Sequence, residues 1–100
     1  MTRENIENLV KEKLANAPSL GSKYKFDLGE DGIIFIDGTQ TPALVNDQDE
    51  DADTTFVCSL ELAQNIVNGT QDPTMAFMTG QLKIKGSMGH ALKLSSMLED

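Results

Sequence analysis

The sequence predicts an α+β fold: a mostly antiparallel five-stranded sheet with helices packed on one face. Three observations carry this. The elements run helix, strands, helices, strand, helix. The stretch Lys23 to Leu28 alternates, with Tyr24, Phe26 and Leu28 on one face and Lys23, Lys25 and Asp27 on the other. The opening segment instead repeats its apolar residues at helical spacing. One hundred residues suit a single domain, residues 1–100.

Residues 3–16 read as an amphipathic helix because Ile6, Leu9, Val10 and Leu14 share one stripe. Thr2 is its expected N-cap, and Pro18 and Gly21 close it. Gly29 to Gly32 forms a turn, and Ile33 to Ile36 pairs with Lys23–Leu28 as a β-hairpin. Asp37-Gly38 signals another turn, Ala43 to Val45 a short third strand and Thr54 to Cys58 a fourth. Ser59 caps a helix over Leu60–Asn68, which Gly69 stops. Asp72-Pro73 opens a short helix over Pro73–Thr79, and Gly80 ends it. Leu82–Lys85 is the last strand and Met88–Leu98 the last helix.

The net charge of −8 repels phosphate backbones, so no nucleic acid is expected as a partner. No apolar run reaches the ~20 residues of a membrane span, so no stable membrane insertion is expected. The start MTRENIENLV has no secretory hydrophobic region, and the expected compartment is the cytoplasm. Cys58 is the only cysteine, so there is no internal disulfide.

Several motifs suggest chemistry. Placing Asp47 at position 1 of a calcium loop puts Asp49 and Asp51 at positions 3 and 5. The pattern then fails, with Ala52 where glycine belongs and Cys58 where a bidentate Glu belongs. An acidic loop between strands remains. Cys58 and His90 allow a small hydrolase as a rival reading, although a thiol in an apolar strand is usually inert. Cys58 and His90 make at most two ligands, so no metal site and no cofactor are expected. Gly86-Ser87-Met88-Gly89 lacks the lysine and hydroxyl of a phosphate loop. The expected role of Gly86 and Gly89 is steric: a tight strand-to-helix corner and close helix approach. Apart from Met1, every methionine lies in the last third: Met75, Met78, Met88 and Met97. Flexible thioethers suit an apolar cavity that repacks around varied shapes.

The residues Asp53-Thr54-Thr55-Phe56-Val57, Asp72-Pro73, Ala76 to Gly89 and Lys93-Leu94 resemble the sterol carrier protein-2 (SCP-2) family. Gln81 stands where that pattern carries a basic residue. The resemblance implies a twisted five-stranded sheet with an apolar tunnel beneath its helices. It implies non-catalytic binding and transfer of a lipid: a fatty acid, a fatty acyl-CoA or a sterol-like molecule. Carried over by position, Val10, Ile34, Phe77, Met78 and Leu92 line the tunnel, and Met88 and Met97 join them by pattern. Transient contact with membranes or lipid-metabolising enzymes follows as an expectation. A second rival is an acidic interaction module whose loop at residues 47–53 docks a basic partner.

Overall fold

In a computed structural model, residues 2–16 and 19–98 are described. Pro18, expected to close the first helix, lies outside them. The helices are α1 (Arg3–Leu14), α2 (Leu60–Asn68), α3 (Pro73–Met78) and α4 (Met88–Leu98). The strands are β1 (Lys23–Asp27), β2 (Ile33–Asp37), β3 (Leu44–Asn46), β4 (Thr54–Val57) and β5 (Lys83–Gly86). They form one open sheet in the order β3-β2-β1-β4-β5.

Local chemistry sets the ends as the sequence predicts. The Thr2 hydroxyl accepts from the Asn5 amide, and the Ser59 hydroxyl accepts from the Leu62 amide at 3.1 Å. Gly69 closes α2 in the left-handed region at φ +79°. A one-turn 3-10 helix, Gly29–Asp31, joins β1 to β2 in antiparallel register, with Tyr24 opposite Ile36 and Phe26 opposite Ile34.

Among the described residues, the one parallel pair is β1 with β4, Tyr24 opposite Thr54. Because β3 and β4 flank β2 and β1 from opposite sides, residues 47–53 must cross both strands. They pass over the sheet face away from the helices, where Asp49 meets the Lys25 ammonium at 2.7 Å. This explains a feature of β2. Ile34 and Ile36 face the helices, yet Phe35 on the opposite face is also only 2 % exposed. A strand covered on both sides reads as a continuous apolar run rather than an alternation.

The core lies between the sheet and the helices. Ile6, Val10 and Leu14 of α1 meet Tyr24, Phe26, Ile34, Ile36 and Phe56, with Leu62, Ala63, Ile66 and Val67 of α2 beside them. Phe26 and Phe56 stack across the parallel pair with centroids 5.0 Å apart. Arg3 anchors α1 to the sheet by donating to the Ile33 carbonyl at 3.2 Å and pairing with Glu7.

The corner between β5 and α4 corrects one expectation. Gly86 is needed: its φ is +98°, and a Cβ there would sit 2.2 Å from the Asp53 carbonyl oxygen. Gly89 is not, because a Cβ there would meet only the Ser87 hydroxyl, at 3.7 Å. Ser87 itself starts α4, its hydroxyl accepting from the His90 amide.

Candidate functional site

The site is built by the segment from Asp72 to Leu98. The Asp72 carboxylate accepts from the Thr74 amide at 2.9 Å, and Pro73 supplies a helical φ without a surplus donor. The resulting helix, α3, is short. Its end is pinned where the Gln81 and Leu82 amides both donate to the Ala76 carbonyl. Leu82, 1 % exposed, then anchors the chain as it enters β5. The Gly86 corner returns it along α4.

An apolar groove lies between these pieces. Its walls are Pro73, Thr74 and Phe77 from α3 and Met88, Ala91, Leu92 and Ser95 from α4, with Ile84 of β5 between them. On α4 the spacing 88, 91, 92, 95 is one helical face. The groove encloses about 50 Å³. A second depression of about 350 Å³ adjoins it, lined by Ile66, Asn68, Gly69, Gln71 and Asp72. Pro73 and Ser95 border both, so these two residues stand between the narrow apolar groove and the wider polar one.

Of the residues expected to line a lipid site, Phe77, Met88 and Leu92 meet at this groove. Met78 is on the same short helix but points outward, 73 % exposed. Met97 is half-buried against the core. Val10 and Ile34 are fully buried in that core, between α1 and the sheet. The structure therefore brings Phe77, Met88 and Leu92 to a surface groove, keeps Val10 and Ile34 in the closed interior with Met97 packed against it, and leaves Met78 facing solvent. Pro73, Thr74, Ile84, Ala91 and Ser95 were missed. The helical periodicity counted from Met88 would have found Ala91 and Ser95.

The other face of α4 is polar where it meets β1. His90 Nε2 lies 3.3 Å from the Ser22 hydroxyl, and its ring meets the Tyr24 ring edge-on at 6.4 Å between centroids. Burial above all, with the negative charge of Asp53, pushes the Tyr24 phenol up from its ordinary pKa, against a weaker pull from the Ser22 hydroxyl. Cys58 is at the opposite end of β1, its amide donating to the Asp27 carbonyl. The length of that strand separates it from His90, so the two do not form a nucleophile pair. Burial, then the nearby Asp27 carboxylate, pushes the Cys58 thiol up to about 12. A thiol held protonated at neutral pH is a poor nucleophile.

Comparison with known proteins places this geometry. The SCP-2 sterol transfer family matches residues 4–99. Hydroxysteroid dehydrogenase-like protein 2 of Xenopus tropicalis is 37% identical over 97% of this chain. The match takes up 24% of that relative, so the chain spans about a quarter of its length. Among solved structures, sterol carrier protein 2 of Yarrowia lipolytica in its apo form superposes with a TM-score of 0.76 and 24% identity, covering 93% of this chain and 86% of that one. The palmitated SCP2L2 of Aedes aegypti gives a TM-score of 0.74 at 18% identity, covering 100% and 96%. A five-stranded mixed sheet carrying four helices, matched along nearly the whole sequence, leads to one assignment: the chain belongs to the SCP-2 sterol transfer family.

Proposed function

We propose that this protein binds and transfers an apolar lipid without chemical conversion, and that the α3–β5–α4 groove is the entrance to its site. The observation that carries the reading is the groove itself. It is an apolar recess walled by Phe77, Ile84, Met88 and Leu92 in a chain of this family. Lipid binding is the activity the family implies. The ligand class is a fatty acid, a fatty acyl-CoA or a sterol-like molecule, with a fatty-acyl chain preferred. The palmitated mosquito neighbour supports an acyl chain on this fold. The compartment we assign is the cytoplasm.

At about 50 Å³ the groove is far below the ~300–1,000 Å³ of ordinary small-molecule sites. Binding therefore requires α3 and α4 to part. Separation at Pro73 and Ser95 merges the groove with the wider depression. Continued inward past Ala91, it reaches Val10 and Ile34, with Met97 on the flank and Met78 at the mouth. Methionine walls suit this because they repack with little strain. Burying sixteen methylene-like carbons supplies ~13 kcal/mol gross at ~0.8 kcal/mol each. Lost ligand freedom and helix displacement remove several kcal/mol, which leaves about micromolar affinity.

The rival in which the acidic loop docks a basic partner has less behind it. Asp49 is engaged with Lys25, and the Asp53 carboxylate accepts from the Lys23 amide at 2.8 Å, so the loop serves its own sheet. Native mass spectrometry followed by lipid extraction, then titration with a fluorescent fatty acid, tests the proposal. Ser95→Trp is the informative variant, because it fills the groove from a half-buried position without touching the core. It should weaken the fatty acid at least tenfold while leaving the melting temperature unchanged or higher. Undiminished affinity in a folded Ser95→Trp protein would move the ligand elsewhere. Leu92→Arg is a weaker probe, since Leu92 is 57 % exposed and an arginine there would keep its charge in water.

A further inference from the structure

The polar contact between α4 and β1 leaves two groups unmatched. The Tyr24 hydroxyl and His90 Nδ1 are both buried, and neither has a hydrogen-bond partner among the described residues. Tyr24 as a whole is fully buried. A buried polar atom without a partner destabilises a fold, and such atoms are rare. Here two of them lie on rings that meet edge-on, 6.4 Å between centroids.

Ser22 stands with them. It is buried, and its hydroxyl lies 3.3 Å from His90 Nε2 and near enough to the phenol to pull on it. That contact occupies Nε2 and leaves Nδ1 over, as an acceptor in one tautomer and a donor in the other. Burial, and then the negative charge of Asp53, keep the phenol protonated, so it is a donor in need of an acceptor. A hydroxyl both accepts and donates, and so answers the phenol and either tautomer of the imidazole. A carboxylate only accepts, and it brings a charge. The charge felt at the phenol is that of Asp53, whose carboxylate is fixed on β1 by the Lys23 amide at 2.8 Å. An anionic headgroup is repelled there. Lys93, the lysine of α4, is exposed and gives its ammonium to the Leu20 carbonyl at 2.9 Å.

The cluster also lies on the ligand's route. Ala91 lines the groove and is the chain neighbour of His90. Passage beneath α4 at Ala91 therefore leads from the apolar walls toward Tyr24, which belongs to the core and lies opposite Ile36.

We infer that Ser22, Tyr24 and His90 form a polar anchor for the hydroxyl of a long-chain alcohol, whose apolar length lies beneath α4 toward the groove. The inference rests on the lipid-carrier reading and names the ligand's polar end. The Tyr24 hydroxyl donates to the ligand oxygen, and the ligand hydroxyl bonds to His90 Nδ1. A water molecule satisfies the same atoms, and an arriving hydroxyl replaces it with the bonds kept. A fatty acid still binds through its chain but gains nothing from the anchor.

Displacement of a fluorescent fatty acid by dodecanol, dodecanoate and dodecane tests the anchor, in the wild type and in Tyr24→Phe. The substitution keeps the ring and removes only the unmatched oxygen. It should weaken dodecanol ~10-fold while leaving dodecane and dodecanoate within ~2-fold. The melting temperature without ligand should stay the same or rise, because a buried donor without a partner is gone. His90→Leu should show the same selective loss of dodecanol. Equal weakening of all three compounds, with a lowered melting temperature, means that the phenol holds a structural water only and overturns the anchor. Selective loss of dodecanoate overturns it too, since the site then takes an anion. A probe that binds the wild type, with dodecanol unaffected by either substitution, removes the anchor and leaves the carrier. Failure of the probe and all three compounds to bind the wild type removes the carrier reading and the anchor together.

Discussion

At the scale of single residues, two glycines that look alike in the sequence have opposite roles. Gly86 combines a left-handed φ with backbone contact to Asp53, so Gly86→Ala should cost about 3 kcal/mol, from strain and from displacing β4. Gly89 is inside the first turn of α4 with open space around it, and Gly89→Ala should be stabilising by up to ~1 kcal/mol. Urea midpoints of the two variants check this, and equal effects would mean the corner is not built as described. The sequence showed that a corner was here but not which glycine made it, because close approach to Asp53 depends on strand pairing across thirty residues. Cys58 gives a pH signature. Its pKa, raised to about 12, keeps the native thiol protonated, while the unfolded chain ionises near the ordinary 9.0. Above pH 9 the unfolded state therefore binds fewer protons. Stability is full below that pH and falls as pH rises toward 12, by at most ~1.4 kcal/mol per pH unit. Cys58→Ala should flatten the fall between pH 9 and 10 in urea titrations. At pH 8 iodoacetamide should alkylate the native thiol at least ~100-fold more slowly than the denatured one.

At the scale of elements, most boundaries were legible because capping chemistry is local. Thr2, Ser59, Asp72-Pro73 and Gly69 each act within four residues of themselves, and the helices begin and end where these residues say. Ser59→Ala should cost ~1 kcal/mol, since the Leu62 amide loses its acceptor and α2 is only nine residues long. A shift in denaturation midpoint with unchanged slope would confirm that only the cap was lost. The parallel pairing of β1 with β4 was not legible. Strand order is set by which faces need covering: β2 has Phe35 on its outer face, and the chain meets that need by sending an acidic loop across it, tied by Asp49 to Lys25. The same run of residues 46–53 that suggests a metal loop in sequence is a cross-sheet strap in structure. The sequence excludes the metal loop at Ala52 and Cys58 but does not reveal the strap, because the tie from Asp49 to Lys25 depends on β1 lying beneath the loop.

At the scale of the whole molecule, the residues expected to line a lipid site are spread between groove and core for a physical reason. Residues that line an opened site share apolar character with residues that fill a closed core, so Val10 and Ile34 read the same way as Phe77 and Leu92 until packing separates them. The interior is filled, so under the proposed reading a ligand enters only by parting α3 from α4. Linkage then fixes what bound lipid does to stability. A ligand that binds only the folded chain stabilises it by RT ln(1 + [L]/Kd), ~2.7 kcal/mol at a hundredfold excess over Kd. For a domain of this size that corresponds to about 10–20 °C in melting temperature. Part of the binding energy goes into parting the helices, and that cost is already contained in Kd, so it does not reduce the shift at a fixed ratio of ligand to Kd. Differential scanning calorimetry with a long-chain fatty acid should therefore show a concentration-dependent rise. Ser95→Trp should abolish the rise at the same total ligand, because its weakened Kd removes the excess. A variant that lost fluorescent-lipid binding yet kept the full shift would show that stabilisation arises at a different surface, and the groove would then lose its role as the entrance.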